Sequence, residues 1–199
     1  HHVVEVVGQD FAGTWQTNPT VSRTWTVNPS YTRVVLNEIL ADNQSTPVMG
    51  ETSPDYVELY NPGGFSVDLG GYSLTDEPTQ PRKYVFPEDT ILSPGEFLVL
   101  IADDSSAPGH LPFALSAQGE GVFLYRPPAA GGQILDAVFF GLQAPGLSLG
   151  RIGQDLESWA LNQPTPGAEN RPQPMAQASR LRINEWLAAA EVHFGNDFI

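Results

Sequence analysis

One pentapeptide, Gly-Leu-Ser-Leu-Gly at 146–150, fits the G-x-S-x-G pattern of a nucleophilic serine on a strand-to-helix elbow. That chemistry needs a buried strand before the serine, a helix after it and a histidine base within reach. Ser148 is followed instead by Leu-Gly-Arg-Ile-Gly-Gln-Asp, which has two more glycines and no helical periodicity. The interior histidines are His110 and His193. The pentapeptide reads as a strand entered from a turn, and the chain is expected to lack hydrolytic activity.

Acid pairs are the next candidates. Asp55 and Glu58 stand three apart in an extended stretch, and an odd offset places them on opposite faces, so they form no dyad with each other. Asp103-Asp104 and Glu88-Asp89 sit beside turns, where acids cap amides or face water. None of these fits the calcium-loop pattern, so calcium in an acidic loop stays a minor alternative. The chain has no cysteine, and its four histidines offer no pair spaced two or four apart for zinc. Glycine-rich phosphate-binding signatures are absent as well. No catalytic, cofactor-binding or metal-binding residue is assigned, and no cofactor. Asn43-Gln-Ser45 satisfies the glycosylation pattern and carries no assignment.

Asn37 and Glu38 interrupt an apolar run. Simple alternation puts Val35, Asn37 and Ile39 on one face and Leu36, Glu38 and Leu40 on the other. Both faces are otherwise apolar, as in a central strand covered on both sides. A polar group there must be hydrogen-bonded; the expected role is to tie a neighbouring loop by its backbone amides, and the functional alternative is a ligand carboxylate. Tyr56 and Tyr60 share a face with Glu58, opposite Val57 and Leu59, and could stack on a sugar; Tyr72, Trp15, Trp25 and Trp159 are further aromatic candidates. Trp159, in Glu-Ser-Trp-Ala-Leu-Asn, is expected to plug the core.

The elements that must position these residues are short strands. Glycine and proline contribute 19 and 18 of the 199 residues, which favours turns over long helices. Runs rich in β-branched and aromatic residues recur at 3–7, 22–27, 33–40, 55–60, 83–86, 96–101, 121–126 and 134–140, each bounded by turn chemistry. This spacing, with no amphipathic helix between runs, describes an all-β antiparallel sandwich or barrel. The prolines at 164, 166, 172 and 174 mark 163–179 as a linker, extended and unable to pair in a ladder. The expected core comprises Leu36, Ile39, Val57, Leu59, Leu69, Tyr72, Leu74, Phe86, Leu98, Leu100, Val122, Leu124, Val138, Phe140 and Trp159.

Net charge is −14. Residues 33–170 hold 18 acids against 5 bases, a difference of −13, so nucleic acid and anionic membranes are disfavoured as partners. No apolar run is long enough for a bilayer span, and no basic, apolar leader opens the sequence.

The order "LNEIL", "DYVELYNPGG", "VDLGGYSLTD", "ILSPGEFLVLIAD", "GLSLGRI", "SWALNQPTPGAEN" resembles a lamin tail domain of the bacterial extracellular kind over about residues 33–170. The resemblance implies an immunoglobulin-like β-sandwich. Residues 1–27 resemble the last strands of an upstream immunoglobulin- or fibronectin-like domain. "RLRINEWLAAAE" at 180–191 repeats "RVVLNEILADNQ" at 33–44 and resembles the opening of a second lamin tail domain. The expected organisation is a terminal hairpin (1–29), a sandwich (30–170), a proline-rich linker (171–179) and a truncated second repeat (180–199).

Such a layout implies a non-catalytic interaction or spacer module within a larger multi-domain exported or surface protein. The alternative is a polysaccharide-binding module, calcium-assisted, serving a catalytic domain elsewhere in the parent chain. Partners are then a protein or polysaccharide surface. Isolated hairpins are marginal and bare strand edges invite pairing, so "VVEVVG", "SRTWTV" and "LRINEWLA" are expected to pair as strands. They can pair with one another, with the sandwich or with a second copy, burying Ile183 or Trp186.

Overall fold

The computed structural model describes residues 2–25, 34–50 and 53–176. Two short strands lie near the start: β1 (Glu5–Val6) and β2 (Thr20–Val21). The next six are β3 (Val35–Leu40), β4 (Tyr56–Tyr60), β5 (Val67–Asp68), β6 (Ser73–Thr75), β7 (Tyr84–Val85) and β8 (Ile91–Leu92). Then come β9 (Phe97–Ala102), β10 (His110–Leu111), β11 (Glu120–Tyr125) and β12 (Ile134–Phe140). The last are β13 (Ser148–Ile152), β14 (Ser158–Gln163) and β15 (Arg171–Pro172). The described residues form one helical element, a 3-10 turn at Pro128–Ala130.

Two sheets face each other. The larger runs in the order β10-β9-β4-β3-β13-β14-β15, the smaller β12-β11-β6-β7, and β5 and β8 add a separate ribbon. Apolar side chains from both layers merge into one core: Leu36, Ile39, Val57, Leu59 and Leu100 from the larger sheet, Leu74, Val122, Leu124, Val138 and Phe140 from the smaller. Leu69 and Phe86 complete it from the connections. Tyr72, Leu98 and Trp159 pack against this core at its margin, mostly buried as expected but less completely than the rest. The immunoglobulin-like sandwich is as expected, with one difference. β10 pairs with β9 in parallel, because a short excursion at 103–109 returns the chain in the same direction along the sheet edge.

β3 explains why the sandwich is tight. All six of its residues are buried, since it lies between β4 and β13 and is covered on both faces. Its alternation is broken. Leu36 pairs with Leu59, but the next partner of β4 is Glu38, opposite Glu58. Asn37 is therefore the extra residue of a bulge, which resets the two-residue period. Leu36 and Ile39 both enter the core as a result, while Glu38 turns outward with Leu40. This corrects the expected grouping of Ile39 with Asn37 and of Leu36 with Glu38.

The proline-rich stretch is also corrected. Residues 171–172 form β15 on the edge of the larger sheet, with Asn162 opposite Pro172 and Gln163 opposite Arg171. Proline cannot donate, but an edge position asks for no donor there; Gln173 supplies the next N–H, to the Leu161 carbonyl at 2.8 Å. The rest of the expected linker past residue 176 lies outside the described residues.

The hairpin at 2–25 is described by itself. β1 pairs with β2, and bridges join His2 to Trp25 and Gln9 to Trp15. The ladder partner of "VVEVVG" is thus Thr20–Val21, just before "SRTWTV"; of that segment Ser22 donates its N–H to Val4 O at 2.9 Å and Trp25 bridges His2, while residues 26–27 lie outside the described residues. Every described residue of this piece is exposed. The third expected strand, "LRINEWLA" with Ile183 and Trp186, lies outside the described residues, as does His193.

Candidate functional site

The outward turn of Glu38 places it directly across the ladder from Glu58. Both carboxylates are fully buried, and directly opposed residues on one face have Cβ atoms about 4.5–5.5 Å apart. Neutral donors surround them. Glu38 accepts the Tyr56 hydroxyl at 2.5 Å, the Ser148 hydroxyl at 2.5 Å and the Thr165 backbone N–H at 3.2 Å. Glu58 accepts the Asn37 carboxamide at 2.7 Å and the Gly167 N–H at 2.6 Å. Burial raises both acids; the donors from Ser148 and Tyr56 partly offset this at Glu38, those from Gly167 and Asn37 at Glu58. Glu58 is pushed up to about 7, with the charge of Glu38 adding to the rise. The Tyr56 hydroxyl is driven far above its usual range by burial and by Glu38.

The loop tied down this way is 165–170. Asn170 anchors its far end, donating to the Asn37 carbonyl at 3.0 Å and the Arg151 carbonyl at 2.9 Å. Gly150 makes room for it. A Cβ at Gly150 would lie 2.6 Å from Asn162 Nδ2 and 2.7 Å from Asn170 Cγ. The other glycine of the pentapeptide, Gly146, has φ +70° in the turn before β13, where its N–H reaches the Asp42 carbonyl at 2.8 Å. All three marked residues of G-x-S-x-G therefore have structural work: a turn, a hydrogen bond to Glu38 and a space for the loop. Ser148 opens strand β13, is fully buried, and among the described residues no helix follows it.

The remaining sequence candidates are dispersed. His110 Nδ1 lies 2.9 Å from Asp103 Oδ2 on the sheet edge, while Ser148 is bonded to Glu38; the serine and the histidine are each engaged elsewhere. Asp55 accepts the Asn43 N–H at 2.9 Å, and burial raises it. It and Glu58 form no pair. Asp104, Glu88 and Asp89 are exposed, with Asp89 and Asp104 at positive φ in their turns. Asn43 organises its own turn, donating to the Thr46 and Pro54 carbonyls. Among the described residues no group of three or more His, Asp or Glu is placed to hold a metal.

Of the aromatics, Tyr56 is fully buried and unavailable as a platform. Tyr60 is half-buried and stacks on Phe97, centroids 4.5 Å apart at 20°. This pair lines a cleft of about 470 Å³ at the open end of the same sheet face, with Asn37, Gln154, Glu169 and Asn170 among its other walls. Trp15 and Trp25 are exposed on the hairpin, and Tyr72 packs on the core. Trp159 lies under the Arg151 guanidinium, 4.7 Å from its ring centre.

Arg151 was not anticipated. It is buried and joins the two sheets: one terminal nitrogen grips both oxygens of Asp136 on β12 at 2.7 Å, and Nε donates to the Leu36 carbonyl at 2.7 Å. Asp136 Oδ2 also accepts the Leu36 N–H at 2.9 Å. No local signal announces a pair fifteen residues apart across two sheets. The Glu38–Glu58 pair had one: each is a lone acid in an otherwise apolar strand.

Chemically, two close carboxylates with raised pKa values resemble an acid–base pair. Here their lone pairs are taken by five donors and a loop lies over them, so neither acid has a face open to a substrate.

Comparison with known proteins gives one match. The family model for the Lamin Tail Domain matches residues 28–141. No characterised protein and no solved structure matches the chain. The matched stretch carries both glutamates and Tyr56, and it ends before β13–β15, which bring Ser148 and the covering loop.

Proposed function

Since the chain belongs to the lamin tail domain family, an immunoglobulin-like, non-catalytic module, we propose that it acts as an interaction or spacer module of a larger multi-domain protein, exported or held at the cell surface. The observation that carries this reading is the fate of the one enzyme-like constellation. Glu38, Glu58 and Ser148 are all fully buried and spend their polar atoms on a loop clamp. A catalytic pair must touch a substrate, and this pair touches the chain's own backbone. The acidic surface between residues 33 and 170 supports a protein or glycan partner over a polyanionic one.

The reading is tested by assaying the full chain against ester, peptide and glycoside substrates beside Ser148→Ala and Glu58→Gln. No turnover above the buffer rate is expected from any of the three. Turnover that disappears in either variant would contradict it.

A further inference from the structure

The loop clamp leaves one feature of the outer sheet face unused, the cleft beside Tyr60 and Phe97. The two residues are cross-strand partners at the end of β4 and the start of β9, and neither ring is fully covered. A volume of about 470 Å³ suits a small-molecule site, which typically spans about 300–1,000 Å³. Among the described residues, three lining groups have hydrogen-bonding capacity that no partner takes up: the Tyr60 hydroxyl, the Gln154 carboxamide and the Glu169 carboxylate. Asn170 is spent on two carbonyls. Arg151, the one basic residue of the lining, is spent on Asp136 and on the carbonyls of Leu36 and Leu156. The cleft thus offers rings, a hydroxyl, an amide and an anion, and no free positive charge.

We infer that this cleft is a binding site for a neutral carbohydrate. The C–H face of a sugar ring packs on an aromatic surface, while its adjacent hydroxyls both donate and accept, which matches a carboxylate and a carboxamide side by side. Anionic sugars are opposed by Glu169 and by the acidic body of the domain. An extended peptide added as a strand would need a free ladder edge. β4 lies between β9 and β3, and β13 between β3 and β14; the edge strand β15 reaches the cleft only through Pro172, which has no N–H to donate to an added strand. The inference rests on the interaction-module reading and deepens it: the sugar is held, not cleaved.

The test is calorimetric titration of the full chain, in chelator, with neutral gluco-, xylo-, manno- and galacto-oligosaccharides. At least one should bind. Gln154→Ala and Glu169→Ala, both at exposed positions, should each weaken it roughly three- to tenfold with an unchanged unfolding midpoint, and Tyr60→Ala should weaken it further. Failure of the whole panel to bind overturns the site. So does binding that neither Gln154→Ala nor Glu169→Ala disturbs, or capture of a proline-rich peptide by a cleft that takes no sugar. Cleavage of a bound oligosaccharide would sink the non-catalytic reading and leave the cleft assigned.

Discussion

Two buried acidic sites flank β3, and they are built on opposite principles. On the core side, Asp136 meets a guanidinium in a two-oxygen grip that ties the two sheets together. On the outer side, Glu38 and Glu58 meet hydroxyls, a carboxamide and backbone amides, with no cation among their partners. The first site offsets charge with charge. The second leaves two like charges to be borne by neutral dipoles, so burial wins and both acids are shifted upward. One site is an architectural strut, and the other clamps a loop through acids whose protonation should respond to pH.

The contrast can be broken at the strut first. Arg151→Met leaves the largely covered Asp136 without its cation and strips the Leu36 carbonyl of its donor. The loss should be roughly 3–5 kcal/mol in chemical denaturation, the range for orphaning one member of a buried pair. An unchanged midpoint would mean that the sheets are held by the core alone. Trp159→Ala removes the ring beneath the same guanidinium. Because Trp159 is only partly buried, the loss should fall to about 2 kcal/mol, below the ~3–5 of a fully buried tryptophan. A larger loss would show that the strut depends on that stacking.

At the neutral site the effects are smaller. Ser148→Ala deletes one donor to Glu38 and should cost about 1.5–3 kcal/mol, the range for a hydrogen bond to a charged group. It should also loosen the 165–170 loop, read as faster amide exchange at Thr165 and Gly167 without a change in the core strands. Uniform loss of protection would mean that the loop is not a separate unit.

The sandwich was legible because strand length, turn chemistry and the central, doubly covered character of β3 are local properties. So was the tie between Glu38 and a loop amide, since a buried acid in an apolar strand must find donors. What stayed hidden depends on register. Alternation assigns faces correctly until Asn37 bulges, and nothing in the composition of 33–40 reveals where the extra residue falls. The pairing of Glu38 with Glu58, and of Arg151 with Asp136, exists only once strands are aligned. Proline at 172 misled for a related reason: it removes a donor, yet an edge position facing away from the ladder needs none.

Glu58 belongs to a structural clamp that favours its neutral form, and linkage tests this directly. Its folded value of about 7 lies above its ordinary 4.5, so between these pH values the folded state holds more protons than the unfolded chain. Its stabilising contribution is full below about 4.5 and is lost as pH rises through about 7, a difference of roughly 3 kcal/mol. The measurement is the unfolding free energy of the native chain minus that of Glu58→Gln, followed from acid to neutral pH. This difference should fall by roughly 3 kcal/mol on the way up. A flat difference, or one that rises with pH, would contradict it.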